Sequence, residues 1–186
     1  DTTGTSLSAA FFSEMRARCE DNIYPALSDA FGNGPVAGPN GEPRTAILLT
    51  DNLQTDILGY FYYVDLYDRN PFNQFLKNSN ERKIIYMNAD IDNSITRYGT
   101  IAHEMQHMIN YYHKNNNGVY EEDWLNEAMS KYAEEITGFG IPHGDANTVN
   151  LIKESQMNFD NLSLTDWSGL NSYGLSYLFA KFLTHE

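Results

Sequence analysis

Apolar residues recur along this chain with two different periods. From about 6 to 31, Phe12, Met15, Cys19, Ile23, Leu27 and Ala30 return every three or four positions, which predicts a helix with an interruption at Tyr24-Pro25. Residues 1–5 before it are small and polar and are expected to fray. The stretch 32–43 (GNGPVAGPNGEP) is too rich in Gly, Pro and Asn to be anything but loop. Strand patterns follow at 44–50 (RTAILLT), 59–64 (GYFYYV) and 83–87 (KIIYM), with a polar segment containing Asn70-Pro71 between the last two.

Helical spacing then takes over. Asp92-Asn93-Ser94 offer N-cap oxygens for a helix over about 95–114, which Asn115-Asn116-Asn117-Gly118 would stop. Asp123 can cap a second helix over about 124–137, closed by Gly138. Gly140, Pro142 and Gly144 mark a loop before a third helical pattern near 146–157. The last pattern, about 171–185, places Leu175, Leu178, Phe179, Phe182 and Leu183 on its expected core face. Strands come first and helices after, so the expected class is α+β. The expected organisation is one domain over 1–186, with a sheet-rich half at about 1–117 and a helical half at about 118–186.

Charge narrows the function classes. The 186 residues carry 25 acidic and 12 basic side chains, a net charge of −13, which disfavours nucleic acid and anionic lipid surfaces as partners. No apolar run approaches the roughly 20 residues that span a bilayer. Hydrophobic residues make up 41% of the chain and aromatic ones 13%, enough to build a core. The single cysteine, Cys19, rules out an internal disulfide, and its place on the first apolar stripe reads as a buried, inert thiol. A start at Asp1 with no charged and apolar leader fits a processed secreted protein or a trimmed product. The pattern at Leu183-Thr184-His185-Glu186 ends without a cap, as it would if more chain followed.

The candidate chemistry lies in the first helix after the strands, at His103-Glu104-Met105-Gln106-His107. Side chains at i and i+4 stack on one helix face, so two imidazoles project together and can share one Zn²⁺. Glu104 points about 100° to the side of His103, within reach of a metal-held water without being a ligand. Ile101, Met105, Met108, Ile109 and Tyr112 gather on a stripe roughly opposite the histidines, the expected core face. A catalytic zinc site needs a third protein ligand and an open position. The next helix offers Glu127, separated from His107 by nineteen residues, in Trp124-Leu125-Asn126-Glu127-Ala128. There Leu125, Met129, Tyr132 and Ile136 form the apolar side, while Glu127, Lys131 and Glu134 lie opposite, where Glu127 and Lys131 could also make an exposed i,i+4 pair.

HExxH followed by Asn-Glu one helix later resembles the gluzincin metallopeptidases. GYFYYVD (59–65), SNERKIIYMN (79–88), TIAHEMQHMIN (100–110), WLNEAMSKYAEE (124–135) and YGLSYLFAKFL (173–183) look like the hyicolysin family of bacterial neutral metalloproteases. The resemblance covers most of 20–183 and departs at Ala128, where gluzincins often have Gly. It implies a zincin-like fold, a mixed sheet packed on the HExxH helix, and a secreted bacterial zinc endopeptidase acting on protein or peptide substrates. The sequence does not read out an oligomeric state, and a monomer is the expectation. His103, His107 and Glu127 would be the zinc ligands and Glu104 the general base that takes a proton from the attacking water and returns it to the leaving amine. Gluzincins add a Tyr or His from a later segment to steady the oxyanion. Among Tyr173, Tyr177 and His143, Tyr173 beside Gly174 resembles that element, Tyr177 reads as core and His143 as a loop residue.

The same resemblance calls for an edge strand along the cleft, and KIIYMNAD (83–90) is expected to be it, with an interior position as the alternative. Calcium is a second candidate cation, but Asp51, Asp56, Asp65, Asp68, Asp90 and Asp92 form no DxDxDG loop and read better as solvated surface. Two rival functions remain. A gluzincin exopeptidase would need a group for the substrate's terminal amine, and no GxMEN-like segment is visible. A non-catalytic binding or adhesin module with structural zinc would have no use for Glu104 beside the metal.

Overall fold

The computed structural model describes residues 7–54, 57–157, 159–167 and 170–184. The expectations for residues 1–5, Asp56, His185 and Glu186 lie outside them. Helices α1 (Ala9–Arg18) and α2 (Tyr24–Phe31) are joined by one π turn over Cys19–Ile23. Pro25 cannot donate a backbone hydrogen bond, and the wider turn ahead of it, closed by Tyr24 N–H on the Cys19 carbonyl, takes up the missing link. Cys19 is partly buried against the core, and burial pushes its thiol up to about 12, which keeps it inert.

Three strands, β1 (Ala46–Thr50), β2 (Gly59–Phe61) and β3 (Ile84–Asn88), form a mixed sheet in the order β1-β3-β2. β3 runs parallel to β1 and antiparallel to β2, with Tyr60 opposite Tyr86 and Phe61 opposite Ile85. β3 is therefore the central strand, not the edge strand expected from its position before the HExxH helix. Its composition explains the placement: Ile84, Ile85, Tyr86 and Met87 are all buried, as a strand covered on both faces requires. The pattern at 59–64 yields only three strand residues before a 3₁₀ turn, Tyr63–Leu66. Asp65 of that turn is fully buried and not solvated surface, because it accepts from the Asn80 N–H and the Tyr86 hydroxyl, each at 2.6 Å. Asp51, Asp68, Asp90 and Asp92 are exposed.

Four helices complete the chain: α3 (Ser94–Asn116), α4 (Asp123–Ile136), α5 (Ala146–Met157) and α6 (Leu170–Thr184). Asn93 caps α3 by accepting from the Ile95 and Thr96 N–H groups. Ile101, Met105, Met108 and Ile109 pack with Met15, Ile23, Leu27, Ile85 and Met87 in one core cluster. No described helix is long and apolar enough to cross a membrane.

Three local expectations are corrected. Asp123 is not the cap of α4: Glu122 holds that position without a side-chain bond, and the Asp123 carboxylate accepts from the Tyr120 hydroxyl instead. In α4 the deeply buried positions are Ala128, Ser130, Ala133 and Glu134, while Leu125, Met129, Tyr132 and Ile136 are half-buried. In α6 the inward face is Ser172, Gly174, Ser176, Tyr177 and Ala180, and Leu178, Phe182 and Leu183 are exposed. The cause in α6 is close approach: a Cβ at Gly174 would stand 2.3 Å from the Leu151 carbonyl oxygen, so α5 and α6 meet through small residues and the large ones turn outward.

A candidate metal centre between the third and fourth helices

His103, His107 and Tyr111 succeed one another every four residues on α3, so one face of that helix floors a cleft of about 790 Å³. β2 and Tyr63 line one side of it. The 118–123 loop, Asn126 and Glu127 line the other, and Tyr173 of α6 joins them. Gly59 sets the distance between strand and helix. A Cβ there would lie 2.8 Å from both Thr100 Cγ2 and the Tyr86 carbonyl oxygen, so only glycine lets β2 approach this closely.

The donor atoms of His103, His107 and Glu127 all lie within 4.8 Å of one another, the one such group that could hold a metal ion among the described residues. Glu127 Oε2 stands 3.0 Å from His103 Nε2, and Glu127 Oε1 stands 3.5 Å from His107 Nε2. The two imidazoles meet edge to face with centroids 4.7 Å apart. Two nitrogens and a carboxylate converging on one point suit zinc. The expected residues are thus brought together at the floor of the cleft, with His103 only 9% exposed.

Each histidine is held from behind. His103 Nδ1 meets Glu134 Oε1 at 2.8 Å. His107 Nδ1 meets the Ser130 hydroxyl at 3.0 Å, and Ser130 in turn donates to Gln106 Oε1 at 2.6 Å. Sequence reasoning grouped Lys131 and Glu134 with Glu127 but gave them no role, and it did not find Ser130. The legible signal was spacing, since 130, 131 and 134 follow Glu127 by three, four and seven residues on one helix face. Lys131 also does not pair with Glu127 at the surface, because its ammonium is turned inward to Glu134 at 2.8 Å.

Burial and pairing set the charges. Burial disfavours a charged His103, yet its hydrogen bonds to Glu127 and Glu134 outweigh that and hold its pKa up at about 10. Glu127 is pulled well below the usual carboxylate range, its own burial overcome by the two imidazoles. Glu134 is lowered too, burial being overcome first by the Lys131 ammonium. Glu104, 6% exposed, is raised by burial. Tyr173 is raised by burial and by the negative charge of Glu127. Its ring lies 6.4 Å from that of His103 and edge-on to Trp167 at 4.8 Å. Tyr177 is buried and donates to Glu135, as a core residue, and His143 is exposed in a 3₁₀ turn away from the cleft.

The neutral metalloprotease ShpI of Staphylococcus hyicus is 26% identical over 186 aligned residues, which take in 90% of this chain and 40% of that protein. The chain is similar to a metalloprotease. It spans about two fifths of that relative's length. No family model matches the chain, and no solved structure matches it.

Proposed function

We propose that this chain is the zincin-like catalytic domain of a secreted bacterial zinc endopeptidase. The observation that carries the reading is the convergence of His103, His107 and Glu127 in a cleft beside a buried Glu104. His103 and His107 would hold the metal through Nε2, with Glu127 as the third ligand. The fit has an electrostatic side as well. Glu127 and Glu134 are both held in their charged form at this centre, surroundings that favour a cation. When bound, zinc supplies a Lewis acid that lowers the pKa of water toward about 7 and polarises a carbonyl.

The protein's own groups do the rest. Glu104, raised by burial, accepts the proton of the attacking water and delivers it to the leaving amine. Tyr173, which lines the cleft with its ring 6.4 Å from that of His103, would turn its hydroxyl toward the developing oxyanion. The strand that would pair with an extended substrate is β2, an edge strand whose residues line the cleft. An endopeptidase fits the cleft's length. Its α3 floor from His103 to Asn115 covers about 18 Å at 1.5 Å per residue, room for about five extended residues.

The test is hydrolysis of casein by the purified chain before and after treatment with a zinc chelator. Loss of hydrolysis on chelation and recovery on adding zinc are expected. Hydrolysis that survives complete removal of metal contradicts the reading.

A further inference from the structure

We propose that Lys131 is a positioning residue of the metal centre, holding Glu134 so that Glu134 in turn fixes the His103 ring. The inference rests on the metal reading above. One atom carries it: Glu134 Oε1 receives both His103 Nδ1 and Lys131 Nζ, each at 2.8 Å. A carboxylate oxygen pinned from one side by an ammonium has little freedom left. The imidazole bonded to it is therefore turned with Nε2 toward Glu127 and His107.

Stability alone does not account for the ammonium. The Lys131 and Glu134 side chains are 12% and 8% exposed, and a buried ion pair commonly does no better for stability than apolar residues of the same volume. What such a pair adds is direction. His107 needs no equivalent, because its Nδ1 faces a neutral hydroxyl, Ser130, which is anchored to Gln106. Lys131 also lies 6.0 Å from the centroid of the Tyr173 ring, which lines the same cleft as Glu127. Outer partners of ligating histidines typically contribute 10- to 100-fold in metal affinity, and Lys131 acts one bond further out.

The experiment measures zinc affinity by chelator competition and the visible spectrum of the Co²⁺-substituted protein. It compares the wild type with K131M, K131R, E134Q and K131M/E134Q, with melting of each zinc-free protein as a folding control. K131M is expected to weaken zinc binding about tenfold and to shift the cobalt bands. K131R should stay within about threefold of wild type. The double variant should bind no more weakly than E134Q, because Lys131 works through Glu134. Wild-type affinity and spectrum in K131M, equal loss in K131R and K131M, or a double variant equal to the product of the singles would each overturn the proposal. If K131M does not fold, K131Q carries the same comparison. A wild-type chain that binds no zinc would instead remove the metal reading itself, so the two failures are distinguishable.

Discussion

The two long faces of α3 do different work. Toward the sheet and α1–α2, Ile101, Met105, Met108 and Ile109 are packed among other apolar side chains, with Ile101 fully buried. Toward α4, His103, Gln106, His107 and Asn110 meet Glu127, Ser130, Glu134 and Asn126 through hydrogen bonds of 2.6–3.0 Å. The first face is non-directional and gains from removing apolar area from water. The second is directional, costs desolvation, and recovers that cost only where every polar group is paired. Folding energy and chemistry are therefore separable across one helix, and substitutions on either side should show it.

The largest effect expected is on metal binding. Glu127→Ala removes one of three donors and should weaken zinc binding by at least 100-fold, while circular dichroism of the zinc-free protein stays near wild type. Unchanged zinc content would take Glu127 out of the site. On the other face, Ile101→Ala should cost about 2–5 kcal/mol in denaturant unfolding, with zinc stoichiometry per folded molecule unchanged. A loss of zinc without loss of stability there would break the division between the faces.

Between these lies a pH effect. His103 holds a proton up to about 10 where a cation would bind, so zinc must displace it. The folded pKa is raised, so the protonated form's contribution to the stability of the zinc-free protein is complete below about 6.5 and is lost as pH rises through about 10. Zinc affinity has the opposite sign and should rise by about tenfold per pH unit above neutrality until near pH 10. An affinity independent of pH from 7 to 9 would contradict a protonated His103. The smallest effect belongs to α6: Phe182→Ser, at a side chain 65% exposed, should change stability by no more than about 0.5 kcal/mol.

Element types were largely legible because periodicity reports them directly. The grouping of His103, His107 and Glu127 was legible because HExxH spacing follows helix geometry and a candidate metal site calls for a third donor. Facing was less so. Periodicity marked the large apolar side of α6 as the inner one, yet α6 turns its small residues toward α5, and in α4 it gave no sign that Ser130 and Glu134 would bond to α3. A hydrophobicity pattern cannot register polar groups that satisfy one another, nor a glycine required by backbone contact. The order of the strands depends on which faces other elements cover, so β3 read as an edge and lies in the centre.

The most direct test of the account is Glu104→Gln, with zinc content and casein hydrolysis measured on the same preparation. The predicted result is zinc bound as in wild type with hydrolysis reduced about 100- to 10,000-fold, because Glu104 is proposed to move the proton and is not one of the three donor residues. Hydrolysis at the wild-type rate by a zinc-loaded Glu104→Gln protein would contradict it.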